Sequence, residues 1–364
     1  MKRSIDNLAR LAGKVEDSIG RTGLDLHGLR VLTEASTGHY AATAPLAAAA
    51  GADRVLAVAR PSRYGSAEDA FRATREVAKQ LGVEPRVEVA SALPGQGLGD
   101  IDVVTNSGHL RPIGRPLLSR LKSTAVVSLM YEPWELRPTD VDLACCRELG
   151  IAFAGTNEQD PRLDLFRFLG PLALWQLMGA GIEVLDCRVL LLCDNDFRPH
   201  LLDALDRNGA QVVEPTLLGT CRLSSRELAH LDAVLVATTP APGHPAVGSA
   251  EATLSAEALA QSAPGCIVCQ FWGDVDRVAL REQGVTCHPE DDPGPGHMGV
   301  LFSDLGMTPV VRLQAAGLKV GQVLAEARRA GKSPREAIRA AEASGFGRGL
   351  SAGADLPSSI GEGR

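Results

Sequence analysis

The chain has 364 residues, enough for two domains of ordinary size, and its 45% hydrophobic and 22% charged residues are a normal globular composition. A net charge of −7 without a basic block, and an aromatic fraction of 4%, argue against nucleic acid as a partner. No apolar run approaches the roughly 20 residues that cross a bilayer, and residues 1–6 have no apolar core behind their basic start, so a cytoplasmic protein away from membranes is expected.

Residues 4–20 set Ile5, Leu8, Leu11, Ala12 and Val15 at helical spacing. An alternation of strands and helices then begins: strand 29–34, helix 40–50 ended by Gly51, strand 54–59, helix 67–81 ended by Gly82, strands 86–89 and 101–105, helix 115–121 and strand 125–130. After about residue 140 the pattern restarts with helix 141–148, strand 151–154, a long apolar helix 163–178, strand 188–193, helix 199–207 and strands 212–213, 233–237, 266–271 and 285–288. A helix over 309–329 closes the second half, and the Gly- and Ser-rich tail is expected to be mobile. Strands alternating with helices predict βαβ units and parallel sheets. The expected fold class is α/β, two Rossmann-like doubly wound parallel-sheet units with an inter-domain cleft. The first unit takes residues 1–140 and the second 141–308; C-terminal helices over 309–344 can return to the first, and the tail is 345–364.

Eight cysteines in a chain of this size do not suggest a disulfide framework. Cys266 and Cys269 have C-x-x-C spacing inside Cys-Ile-Val-Cys-Gln-Phe, which reads as a strand. Positions three apart on a strand face opposite sides, so buried thiols are expected there and no metal site.

Ligands of open parallel sheets bind beyond the carboxyl ends of the strands, and those ends are rich in polar groups here. In the first half they hold Ser36, Thr37 and Gly38, then Arg60 and Arg63, then Asn106, Ser107 and His109, then Glu132 and Trp134. In the second half they hold Asn157 and Glu158, Asp194-Asn195-Asp196, Trp272 and His297. The loop Ser36-Thr37-Gly38 precedes a helix whose first N–H groups can hold an anion. Arg60 or Arg63 follows the next strand, where an arginine suits a 2′-phosphate, so this loop and these arginines are candidate cofactor-binding residues. The bland alternative is an N-cap beside surface arginines. His297, Glu158 and His109 are candidate acid–base groups. Asn106, Ser107, Glu132, Trp134, Asn157 and Trp272 are candidate substrate-binding groups.

Over residues 140–325 the chain resembles the D-2-hydroxyacid dehydrogenase family. The likeness lies in Asp140-Val141-Asp142-Leu143, in Cys145 to Ile151 with Gly155-Thr156-Asn157, in Asp232 to Leu235, in Trp272 to Leu280 and in Gly296-His297-Met298-Gly299. It implies a tandem Rossmann-like architecture, NAD or NADP as cofactor, and His297 as the family's catalytic histidine. Two departures stand out. The family's Gly-x-Gly-x-x-Gly turn is replaced by Asp194-Asn195-Asp196-Phe197-Arg198-Pro199, and its substrate-binding arginine falls on Trp272. The acidic turn is not expected to cradle a pyrophosphate. In the first half, Thr33 to Tyr40 with Gly51 to Val58 resembles the first motif of S-adenosylmethionine-dependent methyltransferases, although Arg60 stands where that family usually places an acid.

Three functional readings stay open. One is an NAD(P)-linked oxidoreductase acting on a small polar metabolite in the inter-domain cleft. Another is a non-redox transferase or lyase on the same scaffold, using S-adenosylmethionine, a nucleotide or no cofactor. The last is a catalytically silent binding protein. Each implies a small-molecule ligand, and a homodimer is the assembly to test.

Overall fold

The computed structural model describes residues 8–215, 225–241, 243–249, 252–294 and 296–350. Among these residues the strands in chain order are β1 Arg30–Glu34, β2 Arg54–Val58, β3 Val87–Ala90, β4 Val103–Thr105, β5 Val126–Ser128, β6 Ala152–Thr156, β7 Arg188–Leu192, β8 Gln211–Val213, β9 Ala233–Ala237, β10 Val247–Gly248, β11 Leu254–Ser255, β12 Ile267–Trp272, β13 Thr286–His288 and β14 Gly347–Arg348. The described residues divide into two compact units, those within Met1–Leu165 and Gly306–Arg364, and those within Phe166–Leu305. Among them no helix is long and apolar enough to cross a membrane.

The first unit is built on a seven-stranded sheet in the order β14-β6-β5-β4-β1-β2-β3. Strands β1 to β6 run parallel, with Val31 opposite Val55 and Val103, and Val126 opposite Ala152; β14 adds an antiparallel edge. Strands of the type Arg-Val-Leu-Thr-Glu are buried along nearly their whole length, as expected where helices cover both faces of a parallel sheet. The order reverses between β1 and β4, and that reversal opens the ligand crevice in sheets of this kind. The second unit carries a five-stranded parallel sheet, β13-β12-β9-β7-β8, with its own reversal between β7 and β9, and a separate two-stranded ladder of β10 and β11.

Local signals explain several boundaries. Helix Ala67–Gln80 opens on a capping box, in which the Ser66 hydroxyl accepts the Asp69 N–H at 3.1 Å and the Asp69 carboxylate accepts the Ser66 N–H at 3.1 Å. Helix Pro334–Ala343 opens the same way, with Ser333, Glu336 and a proline in the first turn.

Helix Met307–Arg329 is buried nearly all round, and it approaches β4 and β5 through Gly317 and Gly321. A Cβ on Gly317 would stand 2.5 Å from Met130 Sδ, and one on Gly321 2.5 Å from Val103 Cγ1. The two glycines are one turn apart and share a face. Ser128 donates its hydroxyl to the Gly317 carbonyl across that contact. Overpacking of such a seam costs roughly 1–3 kcal/mol. Gly321→Ala is therefore expected to lower the melting temperature by several degrees, read by circular dichroism; an unchanged midpoint would mean that the helix can lift off without cost.

The structure departs from the sequence reading in four places. Helix Leu143–Glu148 and β6 belong to the first unit and do not open the second, because β6 pairs with β5 at the sheet edge. The segment read as helix 40–50 is a 3-10 turn, Gly38–Ala42, followed by the short helix Thr43–Ala49. The long apolar helix starts only at Leu169, behind the 3-10 turn Phe166–Phe168 and a left-handed Asp164 at φ 54°. Residues 345–350, read as mobile tail, include β14; the rest of that tail lies outside the described residues.

Candidate active site

The carboxyl ends of β1, β4, β5 and β6 gather a buried polar cluster in the first unit. Glu34 ends β1 and is 8% exposed. Its Oε2 accepts the His109 N–H at 3.1 Å, so it bridges the loops on the two sides of the strand-order reversal. Burial pushes its carboxyl up, against the backbone N–H groups of His109 and Gly108 and the charge of Arg111. Asn106 follows β4. Its Oδ1 accepts the Met130 N–H at 2.8 Å, while its buried Nδ2 has no hydrogen-bond partner among the described residues. Arg111 pairs with Asp140 at 3.2 Å, and Tyr131 donates its hydroxyl to the same carboxylate at 2.6 Å.

Three glutamates form the centre. Glu132 ends the β5 loop with its side chain 2% exposed, and its Oε1 accepts the Glu158 N–H at 2.9 Å. The Glu135 and Glu158 carboxyls act directly on each other's ionisation. Burial pushes Glu135 up to about 7, and Glu132 adds repulsion. Burial, followed by the charges of Glu135 and Glu132, holds Glu158 well above the usual carboxylate range. Desolvation and like charge both disfavour ionisation, so these carboxyls keep their protons to higher pH than free ones. Burial and then the charges of Glu34, Glu135 and Glu158 raise the Tyr40 phenol, which keeps it a neutral donor.

A close backbone approach sets this geometry. Glu135 sits on the 3-10 turn Pro133–Glu135, which lies against β6 at Gly155. A Cβ on Gly155 would stand 2.6 Å from Pro133 Cδ, so only glycine lets the turn deliver Glu135 to Glu158. A pocket of about 1130 Å³ opens beside the cluster, with Glu132, Trp134, Arg147 and Arg348 on its wall.

Of the residues singled out in the sequence, Glu132, Asn157 and Glu158 meet here. Asn157 accepts from Arg348 Nε at 2.9 Å and donates to the Gly345 carbonyl at 2.8 Å. Trp134 is 45% exposed on the pocket wall. Ser107 is hydrogen-bonded to Thr105 at 2.8 Å. His109 is half-buried; its Nδ1 accepts the Arg60 N–H at 3.3 Å, and burial and Arg60 push it down, towards the neutral ring.

The expected anion loop is differently engaged. Ser36 donates its N–H to Thr74 Oγ1 at 3.2 Å, Thr37 makes no side-chain cap, and Gly38 takes φ 58°. Arg60 donates Nη2 to the carbonyls of His109 and Arg111 at 2.7 and 2.6 Å, and Arg63 stacks on Tyr64 and donates to its hydroxyl. In the second unit, His297 lies half-buried on the loop after β13. Trp272 is 6% exposed, packs on Phe197 and donates Nε1 to the Gly296 carbonyl at 3.4 Å. Glu34, Tyr40, Arg111, Tyr131, Glu135 and Arg348 join the cluster without having been candidates.

The turn after β7 tests the implied dinucleotide. Asn195 Oδ1 accepts the Phe197 N–H at 3.0 Å and Nδ2 donates to the Ala237 carbonyl at 2.7 Å, while Asp194 Oδ1 accepts the Thr239 N–H at 2.7 Å. The Phe197 N–H of the turn is thus already taken by the Asn195 side chain, and the two acids of the turn repel phosphate. This turn does not fit a dinucleotide phosphate. Asp194→Ala should cost roughly 1 kcal/mol through the lost Thr239 contacts and leave affinity for NAD or NADP, measured by calorimetry, unchanged. A changed affinity would place phosphate on this turn.

No family model matches the chain, and no curated protein matches it. Solved structures do. A dipicolinate synthase structure from Bacillus halodurans is similar with a TM-score of 0.50 and 11% identity, over 84% of this chain and 99% of that one. The dipicolinate synthase of Bacillus subtilis is similar with a TM-score of 0.49 and 11% identity, over 85% and 100%. The pyruvate reductase of Chlamydomonas reinhardtii is similar with a TM-score of 0.47 and 12% identity, over 85% and 98%. At this identity the likeness to the Bacillus halodurans structure shows the fold alone.

Proposed function

We propose that the chain is a non-redox enzyme, a lyase or transferase, that moves a proton on a small polar substrate, with Glu135 and Glu158 as its acid–base couple. The observation that carries this reading is the buried carboxyl cluster in which Glu132 Oε1 accepts the Glu158 N–H at 2.9 Å and Glu135 raises the Glu158 carboxyl. A group that titrates at the working pH both gives and takes protons efficiently, and such tuned groups gather at active sites. Glu132 holds the backbone of Glu158, and Tyr40 supplies a neutral hydroxyl among the acids. The Asn106 Nδ2, unpartnered among the described residues, is a donor suited to a substrate oxygen.

The test is hydrogen exchange. The protein is incubated in deuterium oxide with a panel of small hydroxy, keto and amino acids, and carbon-bound deuterium is read by NMR. Exchange by the wild type supports the reading; a full panel without exchange counts against it.

A second reading, an NAD(P)-linked oxidoreductase, is favoured by one feature. The order β3-β2-β1-β4-β5-β6 in the first unit is that of dinucleotide-binding sheets. Reduced nicotinamide formed from NAD or NADP with any panel member would establish it. S-adenosylmethionine belongs in the same binding screen, where a specific ligand raises the melting temperature by mass action.

A further inference from the structure

We propose that Arg348, delivered by the C-terminal strand, is a positioning residue that holds Glu132 as the anion of the glutamate cluster and so keeps the mobile proton on Glu135 and Glu158. The inference rests on the acid–base reading above and adds the group that decides where the charge lies.

The delivery is specific. Strand β14 pairs antiparallel with β6, with Gly347 opposite Thr156 and Arg348 opposite Gly155. The Asn157 N–H donates to the Phe346 carbonyl at 2.7 Å, and Arg162 clamps the segment by lying 3.7 Å over the Phe346 ring and donating to the Ser344 carbonyl at 2.7 Å. The glycines on either side of Arg348 face helix Pro334–Ala343: a Cβ on Gly347 would stand 2.7 Å from Ala341 Cβ, and one on Gly349 2.5 Å from Glu342 Oε1. Alternation along a strand then sends Arg348 to the other side. There Nε lies 3.5 Å from Glu132 Oε2 and donates to Asn157 Oδ1 at 2.9 Å.

The electrostatic consequence follows from the neighbours. Glu132 Oε1 is taken by the Glu158 N–H, and among the described residues Oε2 has no hydrogen-bond donor but lies near the Arg348 guanidinium charge. Arg137 acts on Glu135, and Tyr40 lies among Glu34, Glu135, Glu158 and Tyr64. Three carboxyls in one buried site cannot all ionise. A single cation on Glu132 selects it as the anion and leaves the proton to the other two. Burial raises Glu132, and Arg348 is the first of the groups that pull it back down.

The test uses infrared spectroscopy of the full chain, in which the carbonyl stretch of a protonated carboxyl is counted against pH. The wild type should keep a protonated carboxyl whose midpoint Glu132→Gln lowers through the lost repulsion, without abolishing the band at acid pH. Arg348→Gln retains a hydrogen bond to Asn157 but removes the charge. It should move the midpoint of carboxyl loss upward by about one pH unit or more, with the added signal absent from the double variant with Glu132→Gln. Arg348→Lys should restore the wild-type midpoint, and it also serves if Arg348→Gln folds poorly. A wild-type band that Arg348→Gln leaves unmoved, even with a lowered melting temperature, overturns the positioning role and spares the acid pair. A wild type without the band, or one whose band neither Glu158→Gln nor Glu135→Gln diminishes, overturns the acid–base reading itself.

Discussion

Glu158→Gln should reduce the solvent exchange catalysed by the wild type by roughly 10²–10⁴-fold, the usual worth of a positioned general acid or base. The substitution keeps the size of the side chain and its ability to hydrogen-bond, but an amide neither takes nor gives the proton at neutral pH. Its backbone N–H still reaches Glu132, so the fold around β6 should stay intact. Glu135→Gln should cost a similar factor. The double variant should cost little more than either alone, because groups that act as one unit are not additive. Rates for the three variants on one exchanging substrate decide the matter. Losses that multiply would show two independent groups in place of a couple. A rate within a few-fold of wild type for Glu158→Gln would remove it from the chemistry.

Much of the fold was legible because its signals are local. Runs such as Arg-Val-Leu-Thr-Glu and Arg-Val-Leu-Leu-Leu are buried strands in both units, and Gly51 and Gly82 mark helix ends in the structure as in the sequence, each at positive φ. What pattern could not supply was membership. Helix Leu143–Glu148 and β6 look like the start of a new alternation, yet β6 joins the edge of the first sheet, since periodicity says that a strand exists and not which strand it pairs with. Strand β14 is a Gly-Arg pair in a glycine-rich stretch and carries no strand signature at all. Its pairing is decided by β6 and by the helix that precedes it.

The candidate site was half legible for the same reason. The rule that ligands lie beyond strand ends selected Glu132, Asn157, Glu158 and Asn106, and the fold brings the first three into direct contact with one another or with Arg348. Glu135 escaped because it sits on a 3-10 turn whose position depends on Gly155 of another strand. Tyr40 has the sequence signature of a first helical turn, but lies in a 3-10 turn among carboxyls. Arg348 could not be found by any local rule, since it meets Asn157 across 191 residues of chain. Arg60 shows the converse: its place after β2 suggests a phosphate reader, and its guanidinium is spent on the carbonyls of the neighbouring loop.

The same carboxyl pair should make the protein less stable as pH rises through neutrality, a direction opposite to that of a salt-bridged carboxylate. Glu135 is raised from 4.5 to about 7 by burial and by Glu132, so the folded state holds a proton that the unfolded chain has already released. Below about pH 4.5 both states are protonated and the group costs nothing. Between about 4.5 and 7 the folded state binds more protons than the unfolded one, and stability falls as pH increases. Each pH unit of that window is worth about 1.4 kcal/mol, and allowing for solvent screening at the half-buried Glu135 the loss should be roughly 2–3 kcal/mol by pH 8. At roughly 2–4 °C per kcal/mol for a unit of this size, the melting temperature of the first unit should fall by about 4–12 °C between pH 5 and pH 8 from this source. Glu135→Gln has no proton to lose there, and it also relieves Glu158 of its nearest like charge. It should therefore match the wild type near pH 5 and exceed it at pH 8. Parallel melting curves across that range, with Glu84→Gln as a control in the short turn before β3, isolate the effect. If wild type and Glu135→Gln keep a constant difference from pH 5 to pH 8, Glu135 titrates as an ordinary carboxylate, and the couple with Glu158 holds no proton at neutral pH.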